Sequence, residues 1–143
     1  MSFPEGRYRI SSVHPENYRL AFYGHWAVQA NVSSHVTVEI VNEAGAQKIR
    51  FNDHSITPST SDWFGHENNL DPESRVVQQT PERGLTGQNL LWAITPSGPD
   101  VYFIKVWNGD FAWTIPQDPK NPTDILLQPA EGLPNQHWKI VPA

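Results

Sequence analysis

Apolar residues fall along this chain in short alternating runs, and turn-forming residues separate them. Arg7–Val13 alternates Tyr8 and Ile10 against polar neighbours, and Val36–Val41 places Val36, Val38 and Ile40 on one face. Period-two alternation of this kind predicts half-buried strands. Further strands are expected at Tyr18–Phe22, Trp26–Ala30, Lys48–Phe51, His54–Thr57, Arg75–Gln79 and Leu90–Thr95. Turns are expected at 14–17, 31–34, 81–84 and 96–100, and residues after 57 form a long loop. Thirteen prolines and nine glycines lie between these runs, and no window sustains a helical period. The expectation is an all-β barrel or sandwich.

The last forty or so residues carry the clearest pattern. Four strand-like runs, 101–106, 108–116, 124–129 and 135–142, follow one another and close on Gln136-x-Trp138. The same grammar recurs upstream, most visibly in the fourth strand of each unit: Val38-Glu-Ile40, Trp92-Ala-Ile94 and Trp138-Lys-Ile140. Three four-stranded units, at about 6–44, 45–98 and 99–143, make a single twelve-stranded β-trefoil domain. Tyr8, Ile10, Val38, Trp92, Ile94, Tyr102, Trp113, Trp138 and Ile140 are the expected core.

Composition narrows the partners. With 143 residues, a formal charge of −5 and no basic block, the chain is a poor match for nucleic acid or an anionic membrane. No apolar run reaches membrane-spanning length. The start, Met-Ser-Phe-Pro-Glu-Gly, lacks the pattern of a secretory signal, and cysteine is absent. The expected location is cytoplasmic.

Catalysis is not expected. A thiol nucleophile is impossible without cysteine. The histidines at 14, 25, 35, 54, 66 and 137 form no local metal-binding pair. Asp53-His54-Ser55 places triad residue types side by side, but adjacent strand residues point to opposite faces. No cofactor and no metal are expected.

Several motifs together carry a resemblance: Gly6-x-Tyr8-x-Ile10, Leu91-Trp92-x-Ile94, Tyr102-x-Ile104, Gly109-x-x-x-Trp113-x-x-Pro116, Ile125-x-Leu127 and Trp138-x-Ile140. The chain resembles the mushroom β-trefoil protease inhibitors of the cnispin and cospin group, and more distantly the mycocypins. Residues 88–143 carry most of the match, and 52–80 do not align. The resemblance implies a fungal defence protein that blocks a protease, serine more than cysteine, through one exposed rigid loop. A preorganised loop loses little entropy on binding.

The family uses two loops for this, each with a basic residue. One joins the second and third strands, here Tyr23-Gly24-His25-Trp26; the other precedes the last strand, here 129–135. Neither contains Lys or Arg in this chain. Tyr23 or Trp26 would suit a chymotrypsin-like pocket, or the two would simply cap the barrel. Lys48-Ile49 is similar to the reactive bond of plant Kunitz trefoils, against the plainer reading of an exposed charge at a strand start. Arg83 sits in a turn as a further basic candidate. Asn52 matches the loop position through which mycocypins engage an asparagine-specific cysteine protease, and Asn-Asp is also an ordinary turn pair.

A ricin-B-like lectin is the alternative. Asn135-Gln136-x-Trp138 resembles the lectin repeat, and Asn108 and Asp110 lie in a turn suited to sugar hydroxyls. The positions for the lectin carboxylate and aromatic platform fall near Trp113-Thr114 and Gln128, which are different residue types. Gln136-x-Trp138 is better read as core, with Trp138 buried and Gln136 bonded to backbone.

Overall fold

The structure, a computed structural model, describes residues 3–21, 27–52, 63–71, 73–78 and 87–143. Among these, six strands close into a ring. They are β1 (Gly6–Ser12), β4 (Val38–Glu43), β5 (Ala46–Phe51), β8 (Trp92–Gly98), β9 (Val101–Val106) and β13 (Trp138–Pro142). Each pairs antiparallel with the next, and β13 returns to β1. Closure leaves the ring without a free edge.

The register shows why the repeat was visible in the chain. Val38, Trp92 and Trp138 stand opposite Phe51, Val106 and Ser12. Two residues on, Ile40, Ile94 and Ile140 stand opposite Ile49, Ile104 and Ile10. Three isoleucine pairs thus recur around one axis. Five of the six side chains are buried, and Ile94 packs at the margin of the same core.

Three hairpins cover one end of the ring: β2 (Arg19–Ala21) with β3 (Gln29–Asn31), β6 (Phe64–Gly65) with β7 (Val77–Gln78), and β10 (Phe111–Thr114) with β12 (Leu126–Pro129). They meet in a cycle of backbone hydrogen bonds. Val28 N–H donates to the Val76 carbonyl at 2.9 Å, Val76 N–H to Ile125 at 2.9 Å, and Ile125 N–H to Val28 at 3.4 Å. All three residues have no exposed surface. At a buried crossing every amide needs a partner, and in this cycle each of the three residues donates to the next.

Beneath the cycle lies an aromatic cluster. Trp113 meets Trp92 and Trp138 edge-on, at ring separations of 5.5 and 5.7 Å. Two indoles also tie barrel to cap: Trp92 Nε1 donates to the Phe64 carbonyl, and Trp138 Nε1 to that of Trp113. The first unit has Val38 at the matching position and cannot make this bond.

Several boundaries differ from expectation: β4 and β5, for instance, run over 38–43 and 46–51 where the sequence pattern predicts 36–41 and 48–51, and three further differences have a clear backbone cause. Pro96 lies within β8, opposite Tyr102, rather than opening a turn. A bulge between Pro96 and Gly98 absorbs the missing amide, and the turn falls at 99–100. The expected strand at 124–129 is divided into β11 (Thr123–Asp124) and β12, because Ile125 turns its backbone into the cap cycle. β11 pairs antiparallel with β3, through Thr123 with Ala30 and Asp124 with Gln29. Leu90 belongs to a short 3-10 turn, Gly87–Leu90, ahead of β8. The strand expected at His54–Thr57 and the Asp53-His54-Ser55 run lie outside the described residues.

Candidate functional site

The loop between β12 and β13 is the most firmly built of the described candidates. Its brace is Gln136, a polar side chain with no exposed surface. Gln136 Oε1 accepts from the backbone N–H of Glu131 at 3.0 Å and of Leu133 at 3.3 Å. Its Nε2 donates to the Pro129 carbonyl at 2.9 Å and to Thr114 Oγ1 at 3.2 Å. A buried amide with all these partners is satisfied, and it fixes the loop from inside. Gly132 makes the reversal at φ 70°, a conformation that glycine adopts without strain. A short 3-10 turn, Pro134–Gln136, leads into β13.

Asn135 anchors the base of the loop. Its Nδ2 donates to the Ile115 carbonyl at 2.7 Å, and its own carbonyl accepts from Ile115 N–H. Beside it opens a groove of about 310 Å³, lined by His14, Pro15, Gln117, Leu133, Pro134 and Asn135. Leu133 is 40 % exposed, one of three exposed large apolar side chains among the described residues. The groove thus combines an apolar wall with amide and imidazole groups drawn from three separate segments.

The other candidates are placed as follows. Lys48 and Ile49 lie in the middle of β5, paired with Val41 and Ile40. Ile49 has no exposed surface. Lys48 Nζ sits 4.5 Å from the Trp63 ring centre and 3.7 Å from Glu43 Oε1. The Lys48-Ile49 bond therefore lies inside a sheet ladder, paired along β4. Gln47, just before it, is buried, with Nε2 donating to Asn42 Oδ1 and Oε1 accepting from Ile94 N–H.

Asn52 follows β5 directly and is half-buried. Its N–H donates to the Thr37 carbonyl, and its carbonyl accepts from Thr37 Oγ1. Asn108 and Asp110 are exposed in the turn between β9 and β10. Asn108 takes φ 63°, and a Cβ at Gly109 would collide with Val106 Cγ2. The turn therefore needs its glycine for packing, whatever it binds. Tyr23, Gly24, His25, Trp26 and Arg83 lie outside the described residues.

Gln136, proposed for sugar contact, has both ends committed to the protein. Asn135 and the groove beside it remain open to a ligand. The contribution of His14, Pro15 and Gln117 was missed in the sequence, because only the fold brings them to Leu133. No group of three metal-ligating side chains occurs among the described residues.

No family model and no curated protein matches the sequence. Solved structures do match in shape. One is a ricin B-like lectin of Macrolepiota procera in complex with lactose, at a TM-score of 0.78 and 14 % identity, with 100 % of each chain covered. Another is a proteinase inhibitor from Coprinopsis cinerea, at 0.75 and 10 % identity, covering 99 % of this chain and 100 % of that one. The designed threefold-symmetric protein ThreeFoil matches at 0.74 and 15 % identity, covering 96 % of this chain and 99 % of that one. The chain therefore shares an all-β fold with proteins of β-trefoil type. Both an inhibitor and a lectin are among them.

Proposed function

We propose that the chain is a β-trefoil protease inhibitor of the cytosol, aimed at a serine protease and acting through an exposed loop. Its three units correspond to about 6–44, 45–98 and 99–143. The observation that carries this reading is the loop before the last strand, held by the buried Gln136. Such a brace has one evident physical consequence: the loop keeps its shape when free, so a partner need not order it. The solved inhibitor of similar fold supports the reading, and so does the motif resemblance along residues 88–143.

The test is titration of trypsin, chymotrypsin, subtilisin, papain and an asparagine-specific cysteine protease with the purified chain. Stoichiometric inhibition of one class is the expected result. Trypsin would direct attention to Arg83, chymotrypsin to Tyr23, Trp26 or Leu133, and the asparagine-specific enzyme to Asn52. Failure to inhibit any of them would remove the proposal.

Glycan binding is the second reading, favoured by one feature. Asn135 has its amide nitrogen locked on Ile115, which leaves Oδ1 as a fixed acceptor beside a groove with proline and leucine walls. A sugar uses that pairing of a polar edge and an apolar face. A glycan array with one enriched series would support it.

A further inference from the structure

Leu133 exposes its side chain while committing its backbone. Its N–H donates to Gln136 Oε1 at 3.3 Å. Its carbonyl accepts from Gln136 N–H at 2.9 Å, and His137 Nδ1 lies 2.9 Å from the same oxygen. The His137 ring is in turn packed 4.6 Å from Phe103. The following residue is Pro134, which has no N–H.

A serine protease needs the opposite arrangement. The scissile carbonyl must turn toward the oxyanion hole and be reached by the nucleophile. Here that carbonyl is held inward by a backbone donor with the His137 ring beside it. The neighbouring position gives no alternative, since Gly132 has φ 70° and breaks the extended run that a substrate segment requires.

We propose that this loop binds its protease as a side-chain anchor and not as a substrate mimic. Leu133 fills an apolar pocket of the enzyme, of the kind that takes large aliphatic or aromatic side chains, and the loop is not cut. The groove of about 310 Å³ beside it receives the rim of that pocket, with Pro15 and Pro134 as apolar contacts and His14, Gln117 and Asn135 as hydrogen-bonding ones. This inference rests on the inhibitor reading and adds both the class of pocket and the mode of binding.

The test uses the full chain, its Leu133→Ala and Leu133→Asp variants, and chymotrypsin, subtilisin and trypsin. Melting temperatures establish that each variant is folded, and mass spectrometry follows the loop during prolonged incubation with equimolar enzyme. Expected results are inhibition of chymotrypsin or subtilisin, weakened about 30-fold by Leu133→Ala as for an apolar hot spot. Leu133→Asp weakens it further, and residues 129–136 stay intact throughout. A cut within 129–136 that reaches equilibrium with the bound inhibitor would overturn the anchor mode and leave the inhibitor reading standing. Unchanged inhibition by the folded variants, or inhibition of trypsin alone, would overturn the role of Leu133 and return the search to Tyr23–Trp26 or Arg83. Absence of inhibition by the wild-type chain would overturn the inhibitor reading itself.

Discussion

Replacing Gln136 with leucine removes the brace while keeping a side chain of similar size. Four hydrogen bonds are lost: two from loop amides, one to the Pro129 carbonyl and one to Thr114 Oγ1. A neutral hydrogen bond contributes about 1 kcal/mol net. Glu131 and Leu133 are exposed, so water can re-partner their amides at small cost. Thr114 Oγ1 keeps its bond to the Ala112 carbonyl. The Pro129 carbonyl loses its side-chain partner, and burial of an apolar leucine returns part of the loss. The balance is a destabilisation of about 1–3 kcal/mol. For a chain of this size that is a fall in melting temperature of about 3–10 °C. Calorimetry measures it, and amide exchange at Glu131 and Leu133 should accelerate together. A variant that melts within about 2 °C of wild type, with unchanged exchange at both amides, would refute the idea that Gln136 holds the loop.

Other outcomes follow from the core and the N-terminal strand. Trp138→Phe should cost about 1–2 kcal/mol more than Trp113→Phe. Trp138 Nε1 serves the Trp113 carbonyl, whereas Trp113 Nε1 is buried with no partner among the described residues; urea melts of the two variants decide this. Tyr8 has its phenol pushed above the ordinary value of 10.0, first by burial and second by the neighbouring Tyr102. The native state therefore holds the Tyr8 proton after the unfolded chain has released it. That contribution is complete below pH 10 and is lost as pH rises toward the folded value. Tyr8→Phe, which also gives up the bond from the hydroxyl to the Pro4 carbonyl, should cost about 1 kcal/mol at pH 8. It should also show a shallower loss of stability above pH 10, and denaturant titrations across that range measure both effects.

The barrel was legible because its signal is local. Alternation marks each strand, and a large apolar residue followed two places later by isoleucine marks the same barrel position three times. Pro96 was misplaced because a bulge can carry a proline inside a strand, and bulges leave little trace in periodicity. Ile125 reads as mid-strand in the sequence because only its bonds with the distant Val28 and Val76 turn its backbone aside. The site was less legible for the same reason. Gln136 could be assigned to backbone bonding from its place before Trp138, but His14 and Gln117 reach Leu133 only through the fold. Lys48-Ile49 reads as a strand start in the sequence, and its place inside the ladder follows from pairing with β4 and from the Gln47 bond to Ile94, far along the chain.

The ring is closed by its first and last strands. β1 and β13 pair from Tyr8 with Pro142 to Ser12 with Trp138, and the Ala143 N–H donates to the Arg7 carbonyl. During synthesis β1 is made long before β13, one of its two neighbours in the ring. Until then the inward faces of Tyr8 and Ile10 have no wall on that side. Closing the ring therefore depends on a contact between strands far apart in sequence, the kind of non-local pairing that slows folding. A ribosome-bound chain stalled before Trp138 should remain sensitive to protease at β1, and release of the last strand should protect it.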